Sequence, residues 1–146
     1  MKARDIMTSN PEVVTSQESV TRAAQIMRDH DVGLVPVVDD RTNMRLTGVI
    51  TDRDITVRFV AEGRTGEATV GDLMSGGTIA SVSPDSSVSD VMDRMKTEQI
   101  RRIPVCENDC IVGIIAQADL ATQGVGDRKT GDVVEKISEP TGRGRN

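Results

Sequence analysis

The stretch Gly48-Val49-Ile50-Thr51-Asp52-Arg53-Asp54 recurs later in the chain as Gly113-Ile114-Ile115-Ala116-Gln117-Ala118-Asp119. A short run of β-branched residues that passes directly into polar residues predicts a strand that leads into a helix. Because this junction occurs twice, the chain contains an internal repeat, and a repeat constrains the architecture more strongly than any single pattern does.

The repeat extends upstream of this junction. Val35-Pro36-Val37 returns as Ile103-Pro104-Val105. An amphipathic helical stripe precedes it in both copies, formed by Val20, Ala23, Ala24 and Met27 and by Val88, Val91, Met92 and Met95. The spacing between the copies shortens after the apolar-Pro-Val segment, which indicates a shorter loop in the second copy. Each copy predicts the order β-α-β-β-α, so we expect an α/β (α+β) fold in which two repeats, related by a pseudo-two-fold axis, pack through their sheets.

The repeats predict the positions of the elements and of the domains. In the first copy we expect an opening turn at 3–7, a strand near 13–15, a helix ending near His30, strands at 34–38 and 46–51, and a helix from Thr51 or Asp52. In the second we expect a turn at 70–74, a strand at 79–82, a helix from Ser86 or Ser87, strands at 102–105 and 111–116, and a helix at 117–122. The predicted domains are repeat 1 (1–62), a connector (63–67), repeat 2 (68–123) and a polar, partly disordered tail (124–146).

The composition excludes several classes of function. The chain has 146 residues, a net charge of −5, a single Phe and no Trp or Tyr. An acidic balance without stacking aromatics argues against nucleic-acid binding. No apolar run approaches the ~20 residues of a membrane span, and the N-terminus lacks a signal-peptide core. We therefore expect a soluble, cytoplasmic protein that contacts neither membrane nor nucleic acid.

The residues that usually carry catalysis or bind metals are scarce. Cys106 and Cys110 are predicted to be reduced thiols, and a disulfide across their hairpin is the alternative. His30, which is the single histidine, suits the end of a helix and lies in the other repeat, so we expect no metal site. The sequence contains no phosphate-binding loop and no evident nucleophile beside a base, so we expect no enzymatic activity and no catalytic residue.

The candidate binding residues lie where the two copies agree and where they differ. Thr51 is predicted to cap the helix that it precedes, and Asp54 lies in the first turn of that helix, where a carboxylate could accept hydrogen bonds from both hydroxyls of a ribose. Asp119 occupies the matching place in the second copy. Arg101 and Arg102 precede the second apolar-Pro-Val strand, and guanidinium groups suit bidentate contact with phosphate. Each of these residues also has a purely structural interpretation as a cap or as a solvated side chain.

The chain resembles a tandem pair of CBS domains, the regulatory module named after cystathionine β-synthase. The resemblance covers about residues 3 to 122 and rests on the repeated helices, on the two apolar-Pro-Val strands, and on two opening motifs, Asp5-Ile6-Met7 and Asp72-Leu73-Met74. It also rests on the two strand-to-helix junctions quoted above. It implies that adenosyl ligands (AMP, ADP, ATP or S-adenosylmethionine, sometimes NAD) bind in clefts between the repeats, with dimers common and no cofactor required.

The family motif Gly-x-x-Ser/Thr-x-x-Asp assigns roles to individual residues. Thr51 and Asp54 match it fully, whereas Ala116 replaces the hydroxyl residue beside Asp119. The resemblance implies that Arg101 and Arg102 reach phosphate in the cleft that contains Asp54. In the first copy Gly33-Leu34 stands in their place, so the other cleft gains no basic group. We expect one complete nucleotide site and one weak or empty one.

The function predicted from the sequence is a stand-alone sensor module that binds an adenosyl ligand and signals by conformational change. With so little chain outside the repeats, an unidentified effector protein would have to detect that change. A homodimer is expected from the resemblance. The alternative is a protein–protein adaptor or a stress-related structural dimer that binds no nucleotide.

Overall fold

A computed structural model of the chain describes residues 1–77 and 79–122. Its helices are α1 (Ala3–Ile6), α2 (Val20–His30), α3 (Asp52–Ile55), α4 (Val70–Leu73), α5 (Val88–Glu98) and α6 (Gln117–Thr122). Its strands are β1 (Thr8–Ser9), β2 (Val14–Thr15), β3 (Leu34–Val38), β4 (Leu46–Thr51), β5 (Arg102–Glu107) and β6 (Cys110–Ala116). A π-helical turn, Thr56–Val60, follows α3 directly. The predicted α/β fold is confirmed, while the predicted polar tail lies outside the described residues.

The two long helices begin where their sequences predict. Ser19 Oγ accepts a hydrogen bond from the N–H of Arg22 at 3.1 Å, and Ser87 Oγ accepts one from the N–H of Asp90 at 3.0 Å. Such caps satisfy backbone donors that the first turn leaves unpaired. The predicted apolar stripe of α5 is fully buried. In α2, however, Ala24 is exposed and Ile26 is buried, so the predicted stripe was wrong at one position.

The described chain forms two compact units, each with its own apolar core. The first-repeat unit comprises the described residues of Glu12–Ile79, and the second-repeat unit comprises Met1–Pro11 and the described residues from Ala80 onward. The core of the first-repeat unit packs α2 and α4 against strands β2, β3 and β4. That of the second-repeat unit packs α1, α5 and α6 against β5 and β6. The opening helices of the two sequence repeats are thus exchanged between the compact units.

Backbone hydrogen bonds attach α1 to the second-repeat unit. The N–H of Ala3 donates to the carbonyl of Ser86 at 2.8 Å, and the N–H of Val88 donates to the carbonyl of Met1 at 3.1 Å. Strand β1 then pairs with β6 in antiparallel fashion. The N-terminal residues through α1 therefore contact the start of α5, and β1 extends one edge of the second hairpin.

The helix α4 occupies the matching place in the first-repeat unit. The N–H of Val70 donates to the carbonyl of Glu18 at 2.8 Å, just before the start of α2. Ser75, which follows α4, forms an antiparallel bridge with Val49 of β4. The helix α4 belongs to the second repeat in the sequence, but it packs with the first. The boundaries at 62 and 68 therefore separate the sequence repeats and do not separate the compact units.

The sheets place each strand-to-helix junction at the end of a hairpin. One sheet has the strand order β2-β3-β4, in which β2 runs parallel and β4 antiparallel to β3. The other has the order β1-β6-β5. The strand predicted at 79–82 is reduced to a single parallel bridge between Val82 and Val105. Strands β4 and β6 each pass directly into a short helix, so the junction residues lie at equivalent positions in the two units.

Candidate functional site

A reciprocal pair of hydrogen bonds holds the junction between β4 and α3. The hydroxyl of Thr51 accepts a hydrogen bond from the N–H of Asp54 at 3.0 Å. In return, Asp54 Oδ2 accepts one from the N–H of Thr51 at 2.9 Å. This capping box satisfies two backbone donors that the strand-to-helix transition would otherwise leave unpaired. Thr51 therefore caps the helix as predicted, and the same bonds fix the orientation of the Asp54 carboxylate.

The second oxygen of Asp54 faces Arg58, a residue that the sequence analysis did not single out. Arg58 Nε lies 3.8 Å from Asp54 Oδ1, one helical turn along the chain. The Asp54 side chain as a whole is only 12% exposed, whereas the Arg58 side chain is 52% exposed. The four-residue spacing could have revealed this ion pair, because residues so spaced are neighbours on a helix surface.

The second-repeat unit retains only half of this arrangement. Asp119 Oδ2 accepts a hydrogen bond from the N–H of Ala116 at 2.8 Å. Ala116 has no hydroxyl with which to return the bond. The loss predicted from the sequence comparison therefore corresponds to a missing hydrogen bond in a junction of otherwise equivalent geometry.

The two arginines lie in the same compact unit as Asp119. Arg102 is the first residue of β5 and pairs across the hairpin with Ala116, and the carbonyl of Arg101 accepts a hydrogen bond from the N–H of Gln117 at 2.8 Å. Thr51 and Asp54 belong to the first-repeat unit. The five candidate residues thus occupy equivalent junctions of two units, and their roles in ligand binding remain predictions.

Gly33, which precedes β3, lies close to Asp52. The carbonyl of Gly33 accepts a hydrogen bond from the N–H of Asp52 at 2.9 Å, which matches the bond made by Arg101. A Cβ atom at Gly33 would lie 3.0 Å from Asp52 Oδ2. A side chain at position 33 would require the exposed Asp52 carboxylate to shift by a few tenths of an ångström, whereas Arg101 occupies the matching position, where Gln117 replaces the acid.

The cysteines lie on the hairpin between β5 and β6. Both are free thiols, and Asn108 and Asp109 form the tip of the hairpin with positive φ angles of 53° and 66°. Burial raises the pKa of Cys106 to about 11, so its thiol is protonated at neutral pH. His30 lies at the end of α2, with its Nε2 atom 3.8 Å from Glu12 Oε1. Within residues 1–77 and 79–122, no group of three His, Cys, Asp or Glu side chains is arranged to hold a metal ion.

Comparison with known proteins identifies the family. A sequence model of the CBS domain matches residues 3–60 and 70–125, and the chain belongs to this family. The CBS domain-containing protein YhcV of Bacillus subtilis is 36% identical over 135 residues, which cover 92% of this chain and 94% of that protein. None of the helices in the described ranges is long and apolar enough to cross a membrane.

Solved structures share the fold. The crystal structure of Hypoxic Response Protein I with two coordinated zinc ions has a TM-score of 0.74 and 38% identity, and the match covers 84% of this chain and 98% of that one. The crystal structure of CBSX2 in complex with AMP has a TM-score of 0.71 and 26% identity, with 85% and 96% covered. At least one protein with a similar structure has therefore been crystallised with an adenine nucleotide.

Proposed function

We propose that this CBS pair is a regulatory module without catalytic activity of its own, and that it binds an adenosyl ligand such as AMP, ADP, ATP or S-adenosylmethionine. The observation that supports this proposal most directly is the Thr51–Asp54 junction. Its carboxylate is held in one orientation by a backbone N–H, is shielded from water, and belongs to a motif that is complete in this copy alone. A preoriented carboxylate binds a pair of ribose hydroxyls without first losing conformational freedom.

The proposed ligand contacts divide between sugar and phosphate. Asp54 accepts hydrogen bonds from ribose hydroxyls, and Thr51 adds a hydrogen bond to sugar or phosphate. Arg101 and Arg102 bind phosphate through their guanidinium groups. The Asp119 junction lacks the hydroxyl, and the first copy has Gly33 and Leu34 where the second has the two arginines, so we expect it to be the weaker site. Binding shifts the protein toward the conformation with the higher ligand affinity, and an effector protein detects that conformation.

Calorimetric titration with AMP tests the assignment of the site. Removing a hydrogen bond to a charged group costs about 1.5–3 kcal/mol, so Asp54→Ala should weaken binding by roughly tenfold to a hundredfold. Asp119→Ala is the matched control, because it removes the equivalent capping bond from the junction proposed to be weak. It should leave the main affinity unchanged. Arg102→Ala should weaken binding without the loss of any cap.

The outcomes distinguish the possible errors. Equal affinity of wild type and Asp54→Ala would refute the assignment of Asp54. Equal losses in the two aspartate variants would show that capping, and not ligand contact, explains the effect. If neither AMP nor another adenosyl compound raises the melting temperature of the wild type, the proposal of a nucleotide sensor is wrong, since a ligand that binds the folded state must stabilise it.

The alternative function, a nucleotide-independent adaptor or structural dimer, draws support from the surface of the π-helical turn. Val57 is 42% exposed and Val60 is 63% exposed, and these two residues lie close together on one segment. Exposed apolar side chains of this kind are typical of protein contacts when they form a continuous patch. Light scattering of the wild type and of a Val57→Asp, Val60→Asp double variant would reveal a dimer that depends on this segment. An adaptor would show this dependence and no response to adenosyl ligands.

A further inference from the structure

Arg58 connects the candidate ligand site to a distant part of the same compact unit. Its Nε atom faces Asp54 Oδ1 at 3.8 Å. Its Nη1 atom donates hydrogen bonds to the carbonyl of Leu73 at 3.3 Å and, more weakly, to that of Met74 at 3.5 Å. One guanidinium group therefore joins the carboxylate proposed to bind ribose to the end of α4.

The carbonyls that Arg58 contacts have few other partners available. The last carbonyls of a helix lack intrahelical donors, and α4 has only four residues. A basic side chain is a common way to satisfy such groups. The arginine suits this role because its planar group presents several donors in different directions, so it can contact an acid and two carbonyls together. The position of the end of α4 thus depends in part on the orientation of Arg58.

Ser75, which follows Leu73 and Met74, forms hydrogen bonds with the strand that leads into the site. Ser75 and Val49 exchange two hydrogen bonds, with N···O distances of 3.0 Å and 2.9 Å. Val49 lies in β4 two residues before Thr51. The contacts therefore lead from the capped junction to Arg58, from Arg58 to the end of α4, and from there back to β4.

The segment that carries Arg58 is suited to rearrangement. It forms a π-helical turn, in which the N–H of Ala61 donates to the carbonyl of Thr56 at 2.8 Å. Such turns are rare and occur frequently at functional sites. Four of its five residues are exposed, so few packing contacts oppose a change in the turn. In the second copy the position that corresponds to Arg58 is Gln123, which carries no charge.

We propose that Arg58 is a positioning residue that couples occupancy of Asp54 to the Ser75–Val49 bridge. In the free protein Arg58 orients Asp54 Oδ1. When ligand hydroxyls bind this oxygen, Arg58 changes its contact with the carboxylate, and its hydrogen bonds to Leu73 and Met74 change with it. The inference rests on the proposed function, and it identifies the edge of the first-repeat sheet as the part of the molecule that responds to the ligand.

Amide hydrogen exchange resolved by residue, with and without saturating AMP, tests the coupling. In the wild type, AMP should change the exchange rates of the Ser75 and Val49 amides. In Arg58→Gln, AMP should bind up to about fivefold more weakly, because Asp54 Oδ1 loses the group that orients it before the ligand binds, and AMP should leave these two amides unaffected. Arg58→Lys should restore part of the affinity without restoring the coupling, since lysine lacks the forked donor group. Arg53→Gln is the matched control. It removes a positive charge from the neighbouring helix α3, and it should behave as the wild type.

The results separate this inference from the proposed function. If AMP binds the wild type and changes the Ser75 and Val49 amides equally in Arg58→Gln, the coupling role is refuted while the sensor function stands. If AMP changes neither amide in the wild type although it binds, the coupling is refuted as well. If no adenosyl ligand binds the wild type at all, the proposed function is wrong and the inference fails with it.

Discussion

The carbonyl oxygen of Ser75 lies so close to Gly48 that a Cβ atom added to Gly48 would be only 2.6 Å from it. This close approach allows the segment after α4 to pair with β4. Gly48→Ala should therefore destabilise the protein by about 1–3 kcal/mol, because a backbone carbonyl cannot move aside as easily as the end of a side chain. Gly76→Ala is the control, since its Cβ would meet only Thr47 O, at 3.8 Å. Urea unfolding of the two variants checks the prediction, and equal stabilities would contradict it.

The cap at the β4–α3 junction predicts a second stability effect. Thr51→Ala removes the hydroxyl that accepts from the N–H of Asp54, and loss of such a cap costs about 1 kcal/mol. Thr51→Ser keeps the hydroxyl and should retain most of the stability. Hydrogen exchange of the α3 amides measures the effect locally. Protection of these amides in the alanine variant equal to that in the serine variant would show that the cap is unimportant.

Glu18 predicts a dependence of stability on pH. Burial acts to raise the pKa of Glu18, but hydrogen bonds from Arg41 and from the N–H of Thr15 outweigh it, and the pKa lies below its usual 4.5. A lowered pKa stabilises the folded state above the unfolded pKa, and this stabilisation is lost as the pH falls through the folded value. Glu18→Gln should cost about 1 kcal/mol at pH 7 and almost nothing in strong acid.

Chemical denaturation of the wild type and of Glu18→Gln, from pH 7 to strong acid, measures the difference in their free energies of unfolding. Glu62→Gln serves as the control, because Glu62 is exposed at the end of the first repeat. Its effect should be small at every pH. A penalty in Glu18→Gln that stays constant down to strong acid would show that shape, and not charge, explains the role of Glu18.

The raised pKa of Cys106 predicts that its thiol reacts slowly with alkylating reagents. Its pKa is raised by burial from 9.0 to about 11, so at neutral pH its thiolate fraction is lower by about a hundredfold. In a Cys110→Ala variant, alkylation by iodoacetamide should be about a hundredfold slower in the folded protein than in denaturant. Mass spectrometry of the alkylated peptide gives both rates. Similar rates in the two states would mean that the thiol is accessible and ionises normally.

Elements that depend on neighbouring residues followed closely from the sequence. The helix that ends at His30, the strand Leu34–Val38 and the strand Leu46–Thr51 all lie where periodicity and capping residues predict them. The capping role of Thr51 was equally local, because its partner is three residues away. The ion pair between Asp54 and Arg58 could have been predicted from its spacing, but the hydrogen bond from Arg58 to Leu73 could not, since nothing local indicates which carbonyls lie within reach.

The sequence by itself determined that the chain contains two copies of one α/β unit, and that the junction at Thr51 and Asp54 is more complete than the junction at Ala116 and Asp119. These conclusions depend on periodicity, on capping and on a comparison of matched positions, all of which can be examined along the chain. Only the tertiary structure decided that α1 packs with the second repeat and α4 with the first. The two opening segments share an Asp-apolar-Met pattern, so local preference does not specify the long helix that each one covers. That choice depends on backbone hydrogen bonds and sheet-edge pairing between residues far apart in the chain.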